Sequence, residues 1–299
     1  MLAISLRLAS MFMLAATYIC GKILAERHVG IGEIVFYRQL FAFPVVTAWL
    51  MLTMGARAIP TTRLRMHGSR TVLGMIGMLL NFGAVALLPL AESTSIAFTM
   101  PIFATIFSAL VLHEKIGVHR WSAVLLGFIG IVIMAHPDSH NLASFGVLVA
   151  LAGAVVTAVI SIVLRDLNRT EQPPTIVFWF TTLSLPPLAL LALFTGKAHD
   201  PAIWGLLVLL GITGGAAQLL MTSALRWAPV SIVIPMDYSQ LIWATWAGWL
   251  FWGAWPTLAS WSGAVLIAAS GLYIAWREHI RRSGAQSVSL EEDRAGRSG

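Results

Sequence analysis

The chain has 299 residues, 58% of them hydrophobic and only 11% charged, with a mean hydropathy of +0.82. That composition excludes an ordinary soluble domain and describes a polytopic membrane protein. The formal net charge of +6 raises nucleic acid as a partner, and the single cysteine, Cys20, excludes an intrachain disulfide.

Ten apolar runs follow one another, at about 5–25, 31–54, 71–90, 93–112, 120–136, 144–165, 175–195, 202–225, 229–252 and 258–276. Each is near the roughly 20 residues needed to cross about 30 Å of hydrocarbon as a helix. The runs are continuous rather than alternating, which selects helices over a barrel. The first run is too long, and leads too directly into the next, to be a cleaved signal peptide. On a ten-span path, 15 of the 19 Lys and Arg residues fall on one side of the membrane. That is the positive-inside pattern; it places both termini in the cytoplasm, and a multi-pass protein of the inner membrane is expected. The charge therefore needs no nucleic acid. The expected partners are the lipid bilayer and a small-molecule substrate, and a monomer is expected.

A charge held near the bilayer centre costs at least about 2.5–3.5 kcal/mol, so it faces protein or a watery path. Run one carries Lys22, one turn from Tyr18 and close enough to the outer end to snorkel. Run two carries Tyr37 and Arg38 about seven residues in, deeper than snorkelling serves. Asn81 in run three, Trp179 in run seven and Gln218 in run eight read as interhelical contacts or substrate lining. In the ninth run, "IVIPMDYSQLIWATWAGWLFWGA", Asp237 follows Pro229 by eight residues, hence about 12 Å of helix and close to the midplane. At 100° per residue Asp237, Gln240, Ala244 and Gly248 share one face while Trp246 points away. Trp121, Trp204, Trp227, Trp255, Trp261 and Trp276 sit at span ends as an interfacial belt. The mixed polar tail 279–299 reads as disordered.

These residues lead to an expected site. A small zwitterion such as an amino acid would set its ammonium against Asp237 and its carboxylate against Arg38, with Tyr37, Tyr238, Gln240 and Trp243 as walls and Lys22, Asn81 and Trp179 as further lining. Enzyme readings fail on spacing. "HEKIGVH" (113–119) has Gly117 where a zinc protease needs its second histidine, and Asp237 is the only aspartate well inside a predicted span, where an aspartyl protease needs two carboxylates. With no phosphate-binding glycine motif, transport would be secondary, driven by a gradient such as protons, and no cofactor is expected. A membrane scaffold, the reading from another class, has little reason to keep Asp237, Arg38 and Lys22 inside its spans.

The chain also repeats. "IVFYRQLFAFP" (34–44) matches "IVFWFTTLSLP" (176–186) at an offset of 142, and "WSAVLLGFIGI" (121–131) matches "WSGAVLIAASG" (261–271) at 140. Five spans per copy is odd, so the second copy enters the membrane inverted, an architecture associated with alternating access around a midplane site. The stretches 93–134 and 235–274 resemble the EamA repeat of the drug/metabolite transporter superfamily. The resemblance implies an all-α bundle of ten transmembrane helices as a 5+5 inverted-topology repeat, with copies at 1–140 and 141–278. It also implies export of amino acids or drugs, or uptake of metabolites such as S-adenosylmethionine, riboflavin or sugars. Ala254 stands where the second copy usually has the glutamate that the first keeps as Glu114, so Glu114 is expected to brace a helix junction.

Overall fold

The structure, a computed structural model, describes residues 2–110, 117–135, 142–227 and 234–297. Glu114 and the rest of the histidine motif up to residue 116, like Pro229, lie outside these. Eleven α-helices run through the described residues: α1 Leu2–Glu26, α2 Ile31–Thr53, α3 Leu64–Leu87, α4 Leu90–Ala97, α5 Met100–Leu110, α6 Val118–Ala135, α7 Leu142–Leu167, α8 Pro173–Thr195, α9 Pro201–Trp227, α10 Ser239–Trp252 and α11 Leu258–Arg297. No strand occurs among them. Eight stretches of this set are long and apolar enough to cross a bilayer, with α4 and the start of α5 acting as one; Val118–Met134 is apolar but shorter.

Local chemistry explains where the sequence-based spans shift. The fourth span breaks at Phe98 and Thr99, because Ser95 and Thr99 hydroxyls bond back to Ala91 and Ile96 carbonyls at 2.7 Å and Pro101 has no N–H to give. The ninth begins as a 3₁₀ turn, Ile234–Tyr238, containing Pro235, and becomes α-helical only at Ser239. Asp237 therefore sits in the turn, not on the helix face expected to carry it. The rest of that face is as expected: Gln240, Ala244 and Gly248 are buried and Trp246 is exposed. Gly253 ends α10 in the left-handed region, φ 61°, returning its N–H to Gly248 and Trp249 carbonyls. Two boundaries need correction. The third span starts at Leu64, not 71, because Arg65, His67 and Arg70 belong to its first turns. The tail read as disordered continues α11 to Arg297; Leu290, Glu291, Glu292, Arg294 and Ala295 are good helix formers, whatever they touch.

The helices pack α1 on α9, α3 on α7, α6 on α11, and α2 between α8 and α9. Small residues set these crossings. A Cβ on Gly130 would stand 2.9 Å from the Gly263 carbonyl and one on Gly263 2.6 Å from the Gly130 carbonyl, so α6 and α11 meet backbone to backbone. Of the belt tryptophans, Trp121, Trp204, Trp255 and Trp276 are exposed and Trp261 packs beside Trp255; the Trp227 side chain lies outside those described.

Candidate functional site

Asp237 is held by Arg7. The guanidinium of α1 grips the carboxylate with Nε–Oδ1 2.5 Å and Nη2–Oδ2 2.6 Å, a two-pronged, charge-assisted contact. Arg7 is one of the 15 basic residues gathered on one side, and the expected site set Asp237 and Arg38 at opposite ends of a zwitterion; a pair 230 residues apart in the chain is visible only once the helices are placed. The neighbours expected as walls are packing groups. Tyr238 lies on Phe98 with ring centroids 4.6 Å apart, and Trp243 meets Phe12 edge-on at 5.1 Å, its buried Nε1 without an acceptor.

Arg38 stands elsewhere. It is 6% exposed, with Nη1 donating to Gln39 Oε1 at 2.9 Å and lying 3.6 Å from Met78 Sδ, and Gln39 Nε2 continues to Ser184 Oγ at 2.8 Å. Its stem fits against Gly214, whose Cβ would come within 3.1 Å of Nε. Thr213, the residue before Gly214, bonds Thr17 of α1 at 3.0 Å. Arg38 therefore lies at the level of Thr17, ten residues or about 15 Å of helix from Arg7. Asp237 and Arg38 are not brought together, and one amino acid cannot span them. Among the described residues no carboxylate pairs with Arg38.

The remaining expected residues scatter. Lys22 does not snorkel: it is 9% exposed and donates to the Val85 and Leu88 carbonyls at 3.1 and 2.8 Å, with Trp252 5.6 Å from its ammonium. It caps the C-terminal end of α3, where carbonyls lack helical partners and the dipole favours a cation. Tyr37 packs on Phe41 and Trp204. Asn81 lies against Gly153 of α7, 3.0 Å from where a Cβ would stand. Trp179 donates to the Ile59 carbonyl at 2.9 Å, at the end of the bundle where Arg63 pairs with Asp166.

Sequence reasoning missed three features. Arg70 lies 4.3 Å over the Phe180 ring, with Nε and Nη1 buried and unpartnered. Glu33, in the first turn of α2, pairs with His199 at 2.5 Å. Glu92 accepts from Ser260 at 2.8 Å in a recess shared with Ser95, Leu241 and Thr245. Each had a sequence signal, an ionisable side chain within or just outside an apolar run, but none betrayed its partner.

Arg38 and Phe180 occupy matched positions of the repeated segment, 142 residues apart, and the glycines they cover, Gly214 and Gly74, are 140 apart. Phe98 and Tyr238, in ring contact, are also 140 apart.

The chain matches the EamA-like transporter family twice, over residues 1–135 and 144–276. It is 34% identical to a riboflavin transporter of Vibrio cholerae over 77% of this chain and 78% of that protein. It is 30% identical to the pseudopaline exporter CntI of Pseudomonas aeruginosa over 80% of this chain and 84% of that one. A solved crystal structure at 20% identity shares the fold with a TM-score of 0.58, covering 89% of this chain and 95% of its own. With both copies accounted for, the chain belongs to the EamA-like transporter family.

Proposed function

We propose that this transporter carries a planar, acceptor-rich metabolite of the flavin class, and that Arg38 holds it. The observation that carries this is a guanidinium buried at the waist of the bundle whose partners among the described residues, Gln39 and Met78, are neutral. A cation so placed, without a carboxylate, favours a substrate that brings hydrogen-bond acceptors of its own. The carbonyl oxygens and ring nitrogens of an isoalloxazine are such acceptors. Tyr18, next to Thr17 and edge-on to Phe82 at 5.5 Å, supplies aromatic surface at the same level. The relatives named riboflavin transporters support the same class. Amino acid export loses its geometric support, because the two charges that would bind a zwitterion stand about 15 Å apart along α1.

The transport cycle in this reading is alternating access by a ten-span, 5+5 inverted repeat at the inner membrane, both termini cytoplasmic. Support comes from the double family match, from the reciprocal packing of α1 on α9 and α3 on α7, and from the basic residues gathered on one side. The test is competition in proteoliposomes loaded with unlabelled riboflavin, following entry of labelled riboflavin while an amino acid mixture or S-adenosylmethionine is added outside. Riboflavin exchange that neither competitor reduces supports the reading. Exchange of labelled amino acids without riboflavin exchange would replace it.

A further inference from the structure

At each end of the bundle, the start of one copy's second helix is tied to a loop of the other copy. At one end Thr175 Oγ1 donates to the Ala58 carbonyl and Trp179 Nε1 to the Ile59 carbonyl, both at 2.9 Å. At the other end Glu33 meets His199 Nε2 at 2.5 Å, with Trp204 against both His199 and Tyr37. Glu33 and Thr175 are 142 residues apart, as are Tyr37 and Trp179, and Ala58 and His199 are 141 apart. The two latches therefore occupy matched places but differ in chemistry. One is built from neutral donors, with the His67–Glu171 pair beside it at 3.8 Å and the His67 ring against Trp179; the other is itself an acid and a base. Glu33 is 1% exposed, the His199 side chain 5%, and Glu33 Oε2 is buried without a partner among the described residues.

We propose that the Glu33–His199 pair is the binding site for the proton that drives transport, and that proton binding closes this end of the bundle. The inference rests on the reading of the chain as a gradient-driven transporter and adds the coupling site. With the proton bound, a carboxylate faces an imidazolium and the buried pair is neutral overall. When the proton leaves, one uncompensated negative charge remains in a buried site with an oxygen already unsatisfied, and its desolvation favours opening to water. The latch therefore holds with the proton bound and releases when the proton leaves. The other groups around it do not supply a competing charge from inside. Tyr37 follows Glu33 by one turn of α2; Thr195 and Leu191 of α8 pack on Gly30 and Gly32; Asp200 is exposed and caps the Ile203 N–H at 2.8 Å; Arg27, His28 and Lys197 are exposed. In the matched latch the hydrogen-bonding groups, Thr175 and Trp179, carry no charge themselves, and the His67–Glu171 pair beside them takes no part in those two bonds.

The test is distance measurement between spin labels on the full chain in lipid, with Cys20→Ser and labels at Arg27→Cys and Ala198→Cys across the proposed latch. A second pair, Ala56→Cys and Gln172→Cys, spans the matched latch. Between pH 5.5 and 8.5 the first pair should lengthen and broaden, and Glu33→Gln should make the first pair insensitive to pH while leaving the second pair as it is in the parent. His199→Gln is the parallel variant should Glu33→Gln fold poorly. An unchanged first pair in the parent, or the same shift in both variants, would overturn the proposal. In proteoliposomes a pH gradient should speed riboflavin entry in the parent and not in Glu33→Gln, with exchange at equal pH retained. A pH-responsive latch in a protein silent toward riboflavin would overturn the substrate assignment and leave the proton site standing.

Discussion

The α2–α9 seam and the α8–α3 seam are built at matched places of the two copies, and they are finished differently. Along α2–α9, Gly211 and Gly215 lie against backbone atoms of Phe41 and Ala42, at 3.1 and 3.4 Å from where a Cβ would stand. Along α8–α3, Gly74 faces only side chains, the Phe180 ring and the Arg70 guanidinium. Backbone contact cannot rearrange without moving a whole helix, whereas a ring and a guanidinium part by changing rotamers. At the level of Arg38 the α2–α9 seam is therefore the stiffer contact and α8–α3 the more adaptable one. A second asymmetry lies at the ion pair. The residues 140 positions from Arg7 and Asp237 are Val147 and Ala97, so one half is clamped by charge while the matched place in the other carries none, Val147 lying in an apolar cluster with Leu88 and Ile96.

The largest effect should come from breaking that clamp. Asp237→Leu strands Arg7 and is expected to cost on the order of 2–3 kcal/mol, below the figure for a fully buried pair because the Asp237 side chain keeps 26% exposure. Arg7→Val with Asp237→Ala copies the other half and should recover most of the melting temperature; a double variant no better than the single would mean the two halves are not interchangeable. Next, Gly211→Ala should cost about 1–3 kcal/mol, because the methyl meets Phe41 backbone, and Gly74→Ala should cost less, since Phe180 and Arg70 can shift. Equal losses in thermal unfolding would erase the distinction between the seams. The smallest change is Thr175→Val in the latch of neutral donors, about 1 kcal/mol for one hydrogen bond; a loss as large as that of Asp237→Leu would contradict the ranking.

Much of the scaffold was legible in the sequence because each apolar run carries its own reason to be helical. A start at 71 leaves His67 and Arg70 outside the span; His67 is 1% exposed and Arg70 is sheltered by Phe180, facts that depend on α8. The shared repeat was legible through Ile-Val-Phe and Trp-Ser. The site was legible only in part. Burial cost marked Asp237 and Arg38 as unusual, but charge alone does not choose among partners, and the nearest in space to Asp237 was an arginine five residues into the first helix. Lys22 was given to the interface because its stem allows snorkelling, yet the open carbonyls of Val85 and Leu88 end beside it. The terminus of a helix two spans away is not visible from one helix.

The measurement that bears most directly on the central claim is riboflavin counterflow by Arg38→Gln, with melting temperature as the folding control. Removing a buried cation that has no carboxylate partner should leave stability equal or higher. Transport should fall about tenfold or more, the loss of one charge-assisted hydrogen bond to the substrate. A stable Arg38→Gln protein that exchanges riboflavin at the parental rate would contradict the claim that this guanidinium holds the substrate.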